Sequence, residues 1–237
     1  MATSRRGLLV GAAGLTAVAW VWQRFGVQPV NMAFEPIADL AGWQRAVVGG
    51  VSGGNATNAV FAGLDDDHVP PLPVAEICQN LYRVEGNGPR IAVFTDFFCP
   101  NCRVMDPILA ARMDISVTWH ELPLQSEHSE NVARALLAAD LQGGYHKLKA
   151  RLLGRGFAPG SHRMGQAAEA AGLDAEAVLA DAAGADVTAR LETSKALAST
   201  LGIWGTPALT LGQTLVMGRQ SRDQIDHLIA TVSGSCA

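Results

Sequence analysis

The sequence predicts an α/β fold in which a central mixed sheet is flanked by helices and interrupted by an inserted all-helical subdomain. Three observations carry this reading. A strand, a helix and a second strand follow one another from Arg90 to Leu122, an Ala- and Leu-rich helical stretch fills Ser129 to Leu201, and a hairpin with a final helix runs from Ala208 to Val232.

The first strand spans Arg90 to Asp96, where Ile91-Ala92-Val93-Phe94 are apolar on consecutive positions, as a central strand covered on both faces requires. Val104, Ile108 and Leu109 then give Arg103 to Met113 helical spacing, and Ile115, Val117 and Trp119 alternate within Asp114 to Leu122. Such a unit predicts a parallel strand pair with a right-handed crossover. Gly143-Gly144, Gly154 to Gly160, Gly172 and Gly184 divide the long helical stretch into several helices. Gly205-Thr206-Pro207 then introduces Ala208 to Leu211, the two-residue turn Gly212-Gln213, and Thr214 to Met217, followed by a helix over Asp223 to Val232.

Upstream, Pro73 to Tyr82 reads as a helix, and Gly86-Asn87-Gly88-Pro89 breaks the chain before the first strand. Residues 27–72 form a loop-rich lead-in, in which Phe34, Ile37, Leu40 and Trp43 predict a short helix lying against the body. Asp65-Asp66-Asp67 reads as solvated surface. At the N-terminus, Arg5-Arg6 precede an uncharged apolar run from Gly7 to Trp22, the anatomy of an export segment, possessing a twin-arginine look with Leu8-Leu9. Cleavage after Ala17-Val18-Ala19 and retention as a membrane tether anchored by Trp20 and Trp22 both stay open.

Composition removes several classes. Hydrophobic residues make up 49% and charged residues 17%, a globular balance, and the net charge of -4 comes with no basic stripe of the kind nucleic acid needs. The six histidines show no metal-ligand spacing. No metal and no cofactor is expected. Trp119, Trp204 and Phe97-Phe98 read as core or as a rim around the cysteines.

The chemistry concentrates in Cys99-Pro100-Asn101-Cys102, which directly follows the buried strand and opens a helix. Thiol-disulfide exchange needs one cysteine with a lowered pKa and a second close enough to resolve the mixed disulfide. At the mouth of a helix, Cys99 would gain from the unsatisfied N–H groups and the positive end of the dipole, with Cys102 one turn inside. A zinc half-site would need two more ligands, and Cys78 and Cys236 are isolated in the sequence.

The segment Phe94-Thr95-Asp96-Phe97-Phe98-Cys99-Pro100-Asn101-Cys102 resembles the active-site segment of the DsbA-like branch of the thioredoxin superfamily, over roughly Pro73 to Val232. The resemblance implies a thioredoxin fold. Its first half lies at 73–125, its helical insertion at 126–201 and its second half at 202–237, behind an export signal or anchor at 1–26. It also implies that Trp204-Gly205-Thr206-Pro207 carries a cis-proline opposite the cysteines, with Thr206 and Pro207 binding an extended client segment. The implied activity is a protein disulfide oxidoreductase of the periplasm, acting on unfolded or thiol-containing exported proteins and reset by a membrane redox partner. A monomer is expected.

One departure stands out, because strongly oxidising members carry His where this chain has Asn101. A Cys99 pKa lowered by the helix terminus, yet higher than in those oxidants, follows from the missing charge. Oxidase, reductase and isomerase directions stay open, as do a non-catalytic chaperone and a dedicated thiol reductant for metal-site assembly. Asp96 is either a proton acceptor for Cys102 or a cap or turn residue, while Pro100 and Asn101 tune the pair. Cys78 and Cys236 are candidates for a second, structural disulfide, with unpaired thiols or a Cys236 paired to another chain as the alternatives.

Overall fold

Residues 32–53, 70–86, 88–154, 160–232 and 236 are described by the structure, a computed structural model. The N-terminal export segment and Asp65-Asp66-Asp67 lie outside the described residues. In chain order the strands are β1 (Glu35–Pro36), β2 (Gln44–Val47), β3 (Ser52–Gly53), β4 (Arg90–Thr95), β5 (Ser116–Glu121), β6 (Gly205–Thr206), β7 (Ala208–Leu211) and β8 (Thr214–Met217). The helices are α1 (Val74–Leu81), α2 (Pro100–Ala110), α3 (Ser129–Leu141), α4 (Tyr145–Leu153), α5 (Ser161–Ala170), α6 (Ala175–Asp181), α7 (Ala185–Leu201) and α8 (Arg222–Thr231).

The main sheet has the order β1-β2-β8-β7-β4-β5, and β3 and β6 make a separate two-stranded pair. β4 lies at its functional centre. It runs parallel to β5, with Ile91 opposite Val117, and antiparallel to β7, with Ile91 opposite Leu211. Its consecutive apolar residues split between two cores. Ala92 and Phe94 join Ile77, Leu81, Leu197 and Leu201 from α1 and α7, whereas Ile91 and Val93 join Met105, Leu109, Ile225 and Leu228 from α2 and α8. Burial on both faces explains why no polar residue interrupts the strand.

The five helices between β5 and β6 build a third apolar cluster around Leu136, Leu148, Leu152, Val187 and Leu191. Phe97, from the segment between β4 and α2, is buried in it. α7 then stops at Gly202, whose φ of 68° is the left-handed conformation that glycine takes without a Cβ penalty. The chain enters β6 three residues later.

Ser116, Thr118 and His120, which alternate with the apolar residues of β5, are buried. Their polar atoms have found partners. Thr118 accepts from the Val84 N–H at 3.2 Å, and the His120 ring bridges the Ser194 hydroxyl at 3.2 Å and the Leu81 carbonyl at 3.1 Å while stacking on Phe94. Burial lowers the His120 pKa to about 3, so the ring is neutral.

The short helix expected around Phe34, Ile37, Leu40 and Trp43 does not form. The chain makes β1 and β2 instead, joined by a turn in which the Ile37 N–H donates to the Trp43 carbonyl at 3.0 Å and Trp43 N–H to Leu40 at 3.0 Å. Ile37, Leu40 and Trp43 are still buried, so the spacing marked a buried turn rather than a helix. β8 decides the outcome, because its edge offers backbone partners and Gln44 to Val47 pair with Thr214 to Met217 in parallel. A second difference is at the active-site helix, which starts at Pro100 rather than Arg103. Proline is pre-set for the first helical position, where its missing N–H costs nothing.

Cys78 on α1 and Cys236 are joined by a disulfide across a sequence separation of 158 residues, with their Cα atoms 5.3 Å apart. Cross-linking so long a loop restricts the unfolded chain. Replacing both by Ser is expected to lower the unfolding free energy by about 2–4 kcal/mol. Urea midpoints against the oxidised wild type measure this, and coincident midpoints would contradict it.

Candidate active site

Cys99 is the residue that caps α2. Its backbone is extended (φ -71°, ψ 116°), and its sulfur accepts the Cys102 N–H at 3.2 Å, one of the helix's otherwise unpaired donors. The sequence reading put Cys99 at a helix mouth, and the capping bond gives that position its atomic content. From the opposite side comes the Thr206 carbonyl, 3.4 Å from the same sulfur, and the Thr206-Pro207 peptide bond is cis. Both cysteines are reduced and fully buried.

The two thiols differ sharply. Cys99 is pulled down to about 6, first by hydrogen bonding with the Cys102 thiol, which outweighs burial, and then by the Thr206 and Ser52 side chains and the Cys102 N–H. Burial pushes Cys102 well up, aided by the bond to Cys99 and the negative charge of Asp106. The first proton therefore leaves Cys99, and Cys102 keeps its own until the nucleophile is consumed.

Asp96 is buried and its carboxylate is fully engaged. One oxygen accepts from the Phe98 N–H at 2.7 Å and the Ser129 hydroxyl at 3.1 Å, and the other from the N–H groups of Leu124 and Gln125 at 2.6 and 3.0 Å. Four donors leave it no free lone pair, which favours the turn residue over the proton acceptor. Arg103 is likewise occupied, donating to the Phe97 carbonyl at 3.1 Å with its guanidinium over the Phe97 ring. Asn101 does not face the Cys99 sulfur directly. Its amide donates to the Ser52 hydroxyl at 3.0 Å, and Ser52 contributes to lowering the Cys99 pKa.

Beneath the pair lies a charged cluster that the sequence reading missed. Asp106, one turn after Cys102 on the buried side of α2, accepts from the Lys149 ammonium at 2.7 Å and the Thr95 hydroxyl at 2.7 Å. Lys149 comes from α4 and also lies 3.8 Å from Glu121, which accepts from the Tyr145 hydroxyl. Burial works to strip the Lys149 proton, but Asp106 and Glu121 outweigh it and hold its pKa above the ordinary value. Burial raises Glu121 to about 7 against the pull of Lys149 and Tyr145. A signal was available, since Glu121 continues the apolar phase of Val117 and Trp119, and Asp106 follows Cys102 by four residues on one helix face.

A sheet of this topology, with a reduced cysteine capping the helix after its central strand and a cis-proline against the sulfur, defines a thioredoxin-fold protein of the thiol-disulfide oxidoreductase class. The chain belongs to the DSBA-like thioredoxin domain family, whose model matches residues 90–230. A thioredoxin-like oxidoreductase from Silicibacter pomeroyi DSS-3 is similar at 29% identity and a TM-score of 0.57, over 64% of this chain and 95% of that one. The catalytic domain of Proteus mirabilis ScsC shares the fold at 23% identity and a TM-score of 0.57, over 66% and 94% of the two chains. So does a periplasmic thioredoxin-like protein from Salmonella enterica serovar Typhimurium, at 24% identity and a TM-score of 0.52, over 65% and 94%. No curated protein matches the chain. Among the described residues, no helix is long and apolar enough to cross a membrane.

Two expectations follow. Thiolate absorbance of the reduced protein should titrate near pH 6, and Ser52→Ala should raise that midpoint by up to about 1 unit. Because the folded value lies below the ordinary 9.0, this group stabilises the reduced protein fully above pH 9 and loses that contribution as pH falls through 6. A midpoint near 9 would contradict the assignment. Separately, Lys149→Met strands the buried Asp106 carboxylate and should cost about 3–5 kcal/mol in urea unfolding, with Asp106→Leu recovering much of it in the double variant. A single-variant loss under about 1 kcal/mol would mean that the pair is already hydrated.

Proposed function

We propose that this chain is an exported thiol-disulfide oxidoreductase that exchanges disulfides in client proteins through Cys99 and Cys102. The observation that carries the reading is the Cys99 sulfur, lowered in pKa at the helix cap and set against the Thr206 carbonyl. In the reducing direction the Cys99 thiolate attacks one sulfur of a client disulfide. The Cys99–client S–S bond forms, the client's own bond breaks, and the departing sulfur leaves as a thiolate that takes up a proton. Cys102 then loses its proton and attacks Cys99, closing the Cys99–Cys102 disulfide and releasing the second client thiol. Two electrons have moved from the dithiol to the client, and the oxidising direction is the same sequence reversed.

Thr206 and Pro207 bind the client in this reading, with the Thr206 backbone pairing to an extended segment. Pro100 starts the helix that Cys99 caps, and Asn101 acts through Ser52. A Cys99 pKa of about 6 lies between the about 7 of thioredoxin and the about 3.5 of the strongest oxidants, so the potential should fall between about -270 and about -120 mV. A membrane partner restores the pair after each turnover. Export is supported by the N-terminal segment, by the Cys78–Cys236 disulfide, and by the periplasmic relative from Salmonella. The non-catalytic chaperone has less support, since it gives no reason for a lowered pKa at one member of the pair.

Insulin reduction with dithiothreitol as the electron source tests the activity. Wild-type protein should accelerate it well beyond dithiothreitol alone, Cys99→Ser should abolish the gain, and Cys102→Ser should accumulate a mixed disulfide at Cys99. A wild type that adds nothing to the dithiothreitol rate would overturn the proposal.

A further inference from the structure

The client-binding strand is already occupied, by the protein itself. β3 lies antiparallel to β6, with Ser52 opposite Thr206 and Gly53 opposite Gly205, on the two residues that precede the cis-proline. The segment is held from several sides. The Arg219 N–H donates to the Gly50 carbonyl at 2.9 Å, the Gln125 amide to the Ser52 carbonyl at 2.9 Å, and the Asn101 amide to the Ser52 hydroxyl at 3.0 Å. Ser52 stands opposite Thr206, whose carbonyl lies 3.4 Å from the Cys99 sulfur. Such contacts are those an extended peptide would make when its own cysteine reaches Cys99, but this segment offers a hydroxyl where a client would offer sulfur.

Gly205 makes room for the arrangement. A Cβ at this position would come within 2.6 Å of the Val51 side chain and 3.0 Å of the Ser52 carbonyl oxygen, so any larger residue collides with the paired strand. Beside it, Trp204 is half-exposed and its ring lies 3.6 Å from where a Gly53 Cβ would stand. With the segment in place Cys99 has no solvent exposure. The sulfur that ionises first is thus buried while β3 occupies β6.

The geometry points to Val51–Gly53 as a built-in surrogate client, a strap that must leave β6 before an extended client segment can take the same antiparallel register beside Cys99. This deepens the exchange reading of the preceding section and rests on it. The strap contributes few bonds and only partly buried side chains, so its opening is a local event that leaves the sheet intact. Its chemical preference is for an extended backbone with a side chain no larger than valine against Gly205, since a Val51 methyl and the Ser52 carbonyl fill that space.

Two measurements on the full reduced chain test the strap. The first is the rate at which a polyethylene-glycol maleimide labels Cys99 at pH 8, where a group ionising near 6 is already thiolate and the rate reports access alone. Ser52→Pro, which cannot keep the strand pairing, and Gly205→Ala, which crowds it from the other side, should each raise the rate by on the order of tenfold. The second needs no strap variant. In Cys102→Ser trapped as a mixed disulfide with a short cysteine peptide, amide hydrogens of Val51–Gly53 should exchange faster than in the free reduced variant, while those of β7 and β8 stay unchanged. Unaltered labelling in both variants, or unaltered exchange at Val51–Gly53 in the trapped complex, would overturn the strap. If insulin reduction is absent but labelling responds, the exchange activity fails and the strap stands as a shield of Cys99. Normal insulin reduction with flat labelling leaves the activity intact and removes the strap.

Discussion

The hydrogen bond from the Cys102 N–H to the Cys99 sulfur is the interaction on which the site depends. A helix beginning at Pro100 leaves its first amides without partners inside the helix, and a sulfur carrying negative charge answers that need better than a neutral one. The same bond adds to the larger pull of the Cys102 thiol in lowering the Cys99 pKa. It works only because the sulfur cannot drift. β4, buried on both faces, fixes the chain up to Thr95, and the four donors on Asp96 hold the turn that follows. The reactive atom is thus placed by the core, while the loop merely carries it.

Much of this was legible from the residues themselves. Consecutive apolar positions in β4, the glycine punctuation of the helical stretch and the Gly212-Gln213 turn each report a local constraint, and each element they predicted is present. The Cys99-Pro100-Asn101-Cys102 spacing was equally informative, because a helix cap and a resolving thiol are both local demands. Less legible were features set by distant partners. Ile37, Leu40 and Trp43 have a spacing that suits a helix and a buried turn alike, and only the edge of β8, some 170 residues later, decides between them.

Polar burial was the second blind spot. The alternation in β5 does not reveal that Ser116, Thr118 and His120 are buried. The partner of the Asn101 amide, Ser52, lies 49 residues upstream in a stretch without periodicity. Asp106, Lys149 and Glu121 come from three elements, and no single window of sequence contains the cluster. Pairing across the fold is a property of topology, so it appears only once the chain is folded.

Lys149 has a mechanical meaning as well as an electrical one. Its ammonium is carried by the helical layer, and the Asp106 carboxylate that neutralises it belongs to the helix that begins at Cys99. Sliding one layer over the other pulls unlike charges apart where little water screens them, so the restoring force is steep over small displacements. The ion pair acts as a strut against shear, set directly below the redox pair. That strut stands at the junction where the sulfur geometry must be kept.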